Sequence, residues 1–401
     1  MVIESKIASY NKSFPATFVS AKESHLVDVD GNRFLDFFTG AGTVNYGHNN
    51  SLIKRALITY LEEDGIMHSM DMDTWAKLDL LTALDEIILK PRQLDYKVQL
   101  CAPSGANAVE AGLKLARKVK QRNHIIAFTR SFHGMTQGAL EVTANKYYKS
   151  TFTASSGQVS FFPYENYLDG CDALQLLRQM LCDEVSGIEL PAAIILETVQ
   201  ADGGVHVAST RFLQGLRLLC DELDILMIVD DIQVGNGRTG DFFSFERAGI
   251  VPDIVTLSKA VGGGMPLALL LFREALDQWK TGEHSGTFRG NNLSFVAASA
   301  ALRGYWQEEL FSNQIKEKGQ LIASALSAIE ETVRGCGMIF GVELTPERAL
   351  AVREYCFRHQ LILELVGARD HVVKLLPPLT ISHEDLDHGL RIFVDALEQS
   401  R

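Results

Sequence analysis

The chain has 401 residues and a formal net charge of −12; 46% of its residues are hydrophobic and 22% are charged. This length predicts about two or three domains, and the composition is that of a globular protein rather than a disordered one. The acidic balance argues against a nucleic-acid surface, because phosphate backbones are bound by clustered Lys and Arg. Small anions can still bind at a local site.

The cysteines and the N-terminal segment bear on the cellular compartment. The six cysteines include no CxxC pair and no Cys/His cluster at zinc spacing, which predicts free thiols, a reducing compartment and no metal site. Residues 1–18 lack the apolar core of a signal peptide, and no apolar run approaches the roughly 20 residues of a membrane helix. We therefore expect a soluble, cytoplasmic protein.

The first predicted element is a hairpin at 25–38, HLVDVDGNRFLDFF, with its turn at Asp30-Gly31. Short runs that are apolar on both faces then alternate with helical patterns. Such runs indicate an α/β fold with a central sheet covered by helices on both sides, and hence largely parallel. The predicted strands of this sheet are 96–102, 124–130, 158–164, 192–199, 225–231, 253–259 and 267–273, and helices are predicted at 107–122 and 209–223.

The C-terminal part predicts a smaller α+β unit. It has a helical pattern at 294–306, a strand at 337–344, a helix at 347–360 and a strand at 371–377. Together with the N-terminal hairpin, these elements predict a small α+β domain assembled from both termini. The predicted organisation is 1–45 for the N-terminal part of the small domain, 46–294 for a large domain, and 295–401 for the C-terminal part of the small domain.

Two charged positions stand at the ends of predicted strands. Lys259 precedes the glycines 262–264, which would let a flat group approach the backbone closely. A strand-end lysine more often reaches solvent, but a desolvated one favours its neutral form and can condense with an aldehyde.

Asp230, followed by Asp231, ends the strand 225–231. A buried carboxylate requires a cationic partner, which could be the protonated pyridine nitrogen of pyridoxal phosphate or the side chain of Arg238. Because ligands bind beyond the carboxyl ends of parallel strands, we expect Asp230 and Lys259 to face one crevice.

Two further stretches are compatible with binding a flat, phosphorylated ligand. Residues 104–106 precede the helical pattern, with Asn107 as a plausible cap, and the free N–H groups of a helix N-terminus attract phosphate. In SFHGMT, Phe132 and His133 precede a glycine, where an aromatic ring could lie over a flat cofactor. Each feature alone is also common in ordinary packing.

The order of these motifs resembles that of the class III (ω-type) aminotransferases of pyridoxal phosphate fold type I, over nearly the whole chain. ILETVQ, IVDDIQVGNGRTG, LSKAVGGG and SGTFRGNN occur in the order and at the spacing of that family. FFTGAGTVNYGHNN, ILETVQADGGV and VVKLLPPLTI are more narrowly similar to the diaminobutyrate–2-oxoglutarate aminotransferases, which serve ectoine synthesis and some siderophore or antibiotic pathways. The resemblance implies pyridoxal 5′-phosphate as cofactor, bound by the large domain, and a homodimer or dimer of dimers that shares its active sites between subunits.

The resemblance also implies a role for each matching residue. Lys259 would bond to the cofactor's aldehyde carbon and carry a proton, and Asp230 would bind the pyridinium nitrogen. The other implied cofactor contacts are Ser104, Gly105 and Ala106 at the phosphate, Phe132 and Ile232 on the ring faces, Gln233 at the 3-hydroxyl oxygen, Glu197 and His133 nearby, and Thr287 at the phosphate of the neighbouring subunit's cofactor.

Two departures from the ornithine-type relatives concern the substrate. Lys374 stands where those relatives have an arginine that grips a carboxylate, and Asp202 stands where they have a gating glutamate. These two residues and Arg289 are the candidate substrate contacts. The resemblance predicts amino transfer between glutamate and aspartate 4-semialdehyde, with 2-oxoglutarate and 2,4-diaminobutyrate as the products. The alternatives are another ω-amine substrate (ornithine, lysine, 4-aminobutyrate or β-alanine), an aminomutase, or a catalytically silent relative.

Overall fold

A computed structural model of the chain describes residues 5, 7, 13–149 and 157–401. Its strands, in chain order, are β1 Phe18–Lys22, β2 His25–Asp28, β3 Arg33–Asp36, β4 Tyr96–Cys101, β5 Ile125–Phe128, β6 Val159–Phe162, β7 Ala193–Leu196, β8 Val199–Gln200, β9 His206–Val207, β10 Leu226–Asp230, β11 Ile254–Leu257, β12 Ala268–Arg273, β13 Thr332–Cys336, β14 Ile339–Glu343, β15 Leu361–Ile362, β16 Glu364–Val366 and β17 Val372–Leu375.

The α-helices of the described residues are Ser51–Glu62, Trp75–Ala83, Gly105–Lys120, Gln137–Val142, Ala173–Cys182, Thr210–Glu222, Asn292–Tyr305, Leu310–Leu326, Pro346–Arg358 and His383–Gln399. Residues Thr39–Gly42 form a single turn in the left-handed region, with φ between +50° and +86°. A π-helical turn, Leu84–Leu89, continues the helix Trp75–Ala83, and short 3-10 turns occur at Lys90–Arg92, Glu246–Ala248, Lys259–Gly262, Glu274–Leu276 and Thr287–Gly290. Within these residues no helix is long and apolar enough to cross a membrane.

The central sheet has seven strands in the order β4-β12-β11-β10-β7-β5-β6. Its neighbours from β11 to β6 pair in parallel, which confirms the predicted largely parallel α/β sheet. Every residue of β5, β7, β10 and β11 is buried, as expected for a sheet that helices cover on both faces.

Strand β12 is the exception, because it runs antiparallel to both of its neighbours. The connection from β11 to β12 contains only the 3-10 turn Lys259–Gly262 and a few further residues. Parallel neighbours need a crossover of a dozen or more residues, so a connection this short reverses the strand. Gly263 and Gly264 have φ of +61° and +94° in this reversal. The glycine run therefore turns the chain, and it does not line the cavity described below as the sequence suggested.

The two ends of the chain meet in a second sheet, of order β1-β2-β3-β15. The predicted hairpin forms as β2 and β3, and β15 from the C-terminal part adds in parallel to β3. A third sheet, β13-β14-β17-β16, belongs to the C-terminal part alone. These sheets agree with a small α+β region built from both termini. The boundaries 1–45, 46–294 and 295–401 stay a prediction, and most of residues 1–12 lie outside the described residues.

Candidate active site

A cavity of about 160 Å³ lies where β5, β7, β10 and β11 end, at the carboxyl edge of the parallel strands. This is the edge at which open α/β sheets bind ligands. The lining residues come from the turns that follow these strands and from the start of the helix after β4: Gly105, Ala106, Phe132, His133, Gly134, Glu197, Asp202, Asp230, Ile232, Gln233, Val234 and Lys259. The structure thus brings Asp230 and Lys259 into one crevice, as predicted.

Asp230 is the last residue of β10 and is buried. Its Oδ2 lies 2.7 Å from Nδ1 of His133, and its Oδ1 accepts from the Ile232 N–H at 3.1 Å and the Thr256 hydroxyl at 3.2 Å. Nε2 of His133 is buried and has no hydrogen-bond partner among the described residues. The Asp230 carboxylate is therefore fixed in direction by three neighbours.

Arg238, the alternative partner considered for Asp230, is engaged elsewhere. Its guanidinium donates to the carbonyl oxygens of Met338 and Pro377, at 2.9 Å and 2.6 Å, and to the side chain of Asn45. Because Arg238 is fully buried and anchors these segments to one another, the salt-bridge alternative is wrong.

Lys259 follows β11 and lies in the left-handed region, with φ of +50°. A non-glycine residue there carries a cost of roughly 1 kcal/mol, and such strain is common at functional positions. Burial lowers the pKa of the Lys259 ammonium, although the nearby Asp202 carboxylate partly opposes this. The position therefore favours an uncharged amine facing the cavity.

Glu197 acts on the backbone of Phe132, whose N–H donates to Glu197 Oε1 at 2.9 Å. Burial, and next the negative charge of Asp230, raise the pKa of the Glu197 carboxyl well above its usual value. The Phe132 ring meets the Tyr148 ring edge-on, with centroids 5.5 Å apart. Glu197 thus holds the turn that carries Phe132 and His133.

The helix Gly105–Lys120 begins at the cavity, two residues earlier than predicted. Its N-cap is Ser104, whose hydroxyl accepts from the Asn107 N–H at 3.3 Å and donates to Asn107 Oδ1 at 2.8 Å, so Asn107 is not the cap. A Cβ at Gly105 would lie 2.8 Å from Ile232 Cδ1. Glycine at this position therefore leaves room for the Ile232 side chain, which a larger residue would force to shift.

The candidate substrate residues Lys374 and Asp202 form a cluster beside the cavity with two others. Nζ of Lys374 lies 3.0 Å from Asp202 Oδ1, 2.9 Å from Gln233 Oε1 and 3.0 Å from Glu364 Oε2. Burial disfavours the charge of Lys374, but Asp202 and Glu364 more than offset this and raise its pKa. Burial also opposes the charge of Asp202, yet Lys374 holds the pKa of its carboxyl down at about 2. Glu364 was not identified from the sequence, because only the strand register reveals it.

Thr287 and Arg289 lie outside the cavity lining, on the 3-10 turn Thr287–Gly290. The Thr287 side chain is exposed, and the backbone carbonyl oxygen of Thr287 accepts from His68 Nε2 at 2.7 Å. Arg289 forms an ion pair with Asp71. Within a single chain, neither side chain joins the other predicted site residues.

No group of three or more metal-ligating side chains occurs among the described residues. All six cysteines are free thiols.

Comparisons with known proteins agree with this geometry. The Aminotransferase class-III family profile matches residues 7–397. A protein of Wolinella succinogenes named diaminobutyrate–2-oxoglutarate transaminase is 49% identical over 405 residues, which cover 98% of this chain and 94% of that protein. A protein of Bordetella parapertussis with the same name is 47% identical over 414 residues, which cover 100% of this chain and 95% of that protein.

Solved structures share the fold at low sequence identity. The S-selective transaminase from Bacillus megaterium superposes with a TM-score of 0.88 at 22% identity, covering 99% of this chain and 96% of that chain. The ornithine aminotransferase from Toxoplasma gondii superposes with a TM-score of 0.84 at 22% identity, covering 96% of this chain and 92% of that chain. These neighbours confirm the predicted transaminase fold.

Proposed function

The chain belongs to the class III aminotransferases, and we propose that it exchanges an amino group between L-glutamate and L-aspartate 4-semialdehyde, yielding 2-oxoglutarate and L-2,4-diaminobutyrate. The observation that carries this choice of substrates is the near-full-length identity of 49% and 47% with proteins named diaminobutyrate–2-oxoglutarate transaminase. The placement of Lys259 and Asp230 in one cavity supports the chemistry.

Pyridoxal 5′-phosphate is the cofactor, and the residues of the cavity fit it. Asp230 offers a buried carboxylate for the pyridinium nitrogen, and Lys259 offers an amine for the aldehyde. The N-terminus of the helix Gly105–Lys120, with Ser104 at its cap, offers free N–H groups for the phosphate. When bound, the cofactor supplies an aldehyde that accepts the amino group and a ring that withdraws electrons from the substrate's carbon.

Lys259 would serve both as the covalent anchor and as the proton carrier. Because burial lowers its pKa, a larger fraction of its amine is uncharged at neutral pH, and only that form can attack a carbonyl or accept a proton. Its backbone, held in the left-handed region directly after β11, sets the direction from which the amine approaches.

The other cavity residues would orient the cofactor. Ile232 and Phe132 both line the cavity and would pack on the ring faces, and Gln233 would reach the 3-hydroxyl oxygen. Gln233 already accepts from Lys374, so its orientation is fixed by that contact. Glu197 and His133 would act through the Phe132 backbone and through Asp230 respectively.

Lys374 and Asp202 would bind the substrate. Lysine is a point charge without the two-pronged geometry of arginine, so a carboxylate bound here has a different orientation from one gripped by the arginine of ornithine-type relatives. Arg289 would contribute a further positive charge at the edge of the site.

We also propose a homodimer, or a dimer of dimers, in which Thr287 reaches the partner's cofactor phosphate. The support is an apolar surface next to Thr287: Trp75 is 87% exposed, Phe288 66% and Met72 58%. The ring of Phe288 contacts that of His68 edge-on, which joins the turn of Thr287 to the segment before Trp75. Exposed large apolar side chains grouped in this way are typical of protein interfaces.

The proposal extends to the location and the pathway. The free thiols fit a reducing compartment, which supports a cytoplasmic enzyme. The family resemblance predicts that the diaminobutyrate is supplied to ectoine synthesis or to a siderophore or antibiotic pathway.

The test is the visible spectrum of the purified enzyme loaded with pyridoxal phosphate. Glutamate and diaminobutyrate should each convert the lysine-bound cofactor band to that of the aminated cofactor, whereas ornithine and 4-aminobutyrate should do so much more slowly. The Lys259→Ala variant should bind the cofactor without the lysine-bound band and lose turnover by about a thousandfold or more. Faster conversion by ornithine or 4-aminobutyrate would refute the choice of substrates, and absence of any lysine-bound band in the wild type would refute the chemistry.

A further inference from the structure

Glu364 is a charged residue beside the cavity that the proposed chemistry does not use. It lies on β16 directly opposite Lys374 of β17 in an antiparallel register, and its Oε2 is 3.0 Å from the lysine Nζ. Because directly opposed residues on neighbouring strands are held side by side, the sheet itself fixes this pair. Asp202, which lines the cavity, contacts the same ammonium, so the two carboxylates are close neighbours.

The ammonium of Lys374 is already engaged before a substrate arrives. It donates hydrogen bonds to Asp202 Oδ1 and Gln233 Oε1, and Glu364 Oε2 lies 3.0 Å away as an ion-pair partner, without a hydrogen bond among the described residues. The lysine side chain is fully buried, so no further contact is open to it without rearrangement. A substrate carboxylate must therefore displace one of these acceptors in order to reach Lys374.

The charge of the cluster favours a cation. Asp202 and Glu364 contribute two negative charges against the single positive charge of Lys374, which leaves an excess of one negative charge. The two acidic side chains remain 30% and 28% exposed, so each retains acceptor capacity for another donor. An ammonium group is attracted to such a cluster as it stands, whereas a substrate carboxylate can bind Lys374 only after it displaces one of the acidic side chains.

We propose that Glu364, together with Asp202, binds the α-ammonium group of 2,4-diaminobutyrate while its γ-amine faces the cofactor beside Lys259. The inference rests on the proposed function, because diaminobutyrate carries this second ammonium whereas glutamate, which reacts through its only amine, does not. Glu364 is then a specificity residue that selects diamino acids over ω-amines without an α-amino group.

The experiment compares two substrates that differ only in this group, since 4-aminobutyrate is 2,4-diaminobutyrate without its α-amine. The second-order rate constant for amination of the enzyme-bound cofactor is measured with each substrate, and with glutamate, in the wild type and in Glu364→Gln. In Glu364→Gln, the rate constant with diaminobutyrate divided by that with 4-aminobutyrate should fall roughly tenfold or more. A lost hydrogen bond between charged groups changes a rate or equilibrium constant by about this factor. The rate constant with glutamate should stay within about twofold or rise, because the variant loosens the cluster around Lys374.

Two variants serve as controls. Glu354→Gln removes an exposed carboxylate on the helix Pro346–Arg358 and should leave the ratio unchanged. Glu364→Asp keeps the charge but withdraws it by one methylene group, and it should give an intermediate ratio. Should Glu364→Gln fail to fold or to bind cofactor, the ratio in Glu364→Asp decides, and a ratio equal to that of the wild type overturns the inference.

The outcomes separate this inference from the proposed function. If Glu364→Gln lowers the rate constants with all three substrates by the same factor, the role of Glu364 is purely structural and the inference is overturned. An unchanged ratio of the rate constants with diaminobutyrate and 4-aminobutyrate would also overturn it. A wild type that does not react with diaminobutyrate would refute the proposed function and the inference with it. A wild type that reacts, with an unchanged ratio in the variant, would refute the inference alone.

Discussion

Asp230 and Asp231 are adjacent in sequence, but their side chains lie in different places, one at the cavity and the other in the core. Asp230 points into the cavity and is held by His133, Ile232 and Thr256. Asp231 does not line the cavity; its Oδ2 accepts from the Ser244 N–H at 3.0 Å, and its Oδ1 is buried without a hydrogen-bond partner among the described residues. The alternation of side chains along a strand separates the two, so that one carboxylate serves the site and the other the core.

The first prediction concerns Asp231, whose pKa burial raises to about 7 from the usual 3.8. Between these two values the folded protein keeps a proton that the unfolded chain has lost. The contribution of the protonated Asp231 carboxyl to the free energy of unfolding is fully present below about pH 4, and it is lost as the pH rises through about 7. Asp231→Asn, which cannot ionise, should therefore gain stability relative to the wild type between pH 5 and 8, by roughly 2 kcal/mol or more.

Urea denaturation of the cofactor-free protein at several pH values measures this difference. Asp395→Asn, the control, removes an exposed carboxylate on the helix His383–Gln399. Its free energy of unfolding should differ from that of the wild type by the same small amount at every pH. Parallel curves for Asp231→Asn and the wild type would show that the buried carboxyl does not retain its proton.

At the scale of elements, the helix Gly105–Lys120 has two tasks at one end. Its N-cap, Ser104, satisfies a backbone donor of the first turn, and the same turn is the proposed phosphate site. The helix begins directly after β4, and it packs against β11 and β12, which place it over the edge where Lys259 lies. Ser104 should therefore contribute both to the stability of the helix start and to the affinity for the cofactor.

Ser104→Ala tests that link. We expect a loss of about 1 kcal/mol in the free energy of unfolding, which is typical of a removed N-cap, and a several-fold weaker affinity of the cofactor-free protein for pyridoxal phosphate. Ser382→Ala removes a comparable cap from the helix His383–Gln399, where the serine accepts from the Asp385 N–H at 3.0 Å. This control should lose similar stability and keep the affinity. Equal affinities in the two variants would exclude Ser104 from the phosphate site.

At the scale of the whole molecule, the site is incomplete in one chain if Thr287 acts in the partner. Thr287 is exposed and lies beside an apolar surface that includes Trp75 and Phe288. A monomer would leave these apolar side chains in water, whereas the proposed dimer would cover them and bring Thr287 to the partner's cofactor phosphate.

Trp75→Asp tests the dimer, because a tryptophan at an interface centre commonly contributes 2 kcal/mol or more to association, about thirtyfold in affinity. Analytical ultracentrifugation should show a weakened dimer, and turnover should fall at dilutions where the monomer dominates. Leu218→Asp changes a residue that is 66% exposed on a different helix, Thr210–Glu222, and should leave association unchanged. A wild-type enzyme that is fully active as a monomer would contradict the shared site.

The sequence by itself determined the alternation of strands and helices, the largely parallel sheet, and the facing of Asp230 and Lys259 across one crevice. These features depend on hydrophobic periodicity and on the rule that ligands bind at strand carboxyl ends, both of which act over short stretches of chain. The resemblance of the motifs to a known family added the cofactor and the class of reaction.

Only the tertiary structure decided the rest, because it depends on contacts between distant segments. Three features belong here: the place of β12 between β4 and β11, the engagement of Arg238 with the C-terminal part, and the opposition of Glu364 to Lys374. Hydrophobic periodicity specifies none of these contacts. The choice of Ser104 over Asn107 as the helix cap depends on backbone angles that both residues can adopt. The charge of the site is likewise a tertiary property, since Asp202, Glu364 and Lys374 meet only after three separate segments have packed.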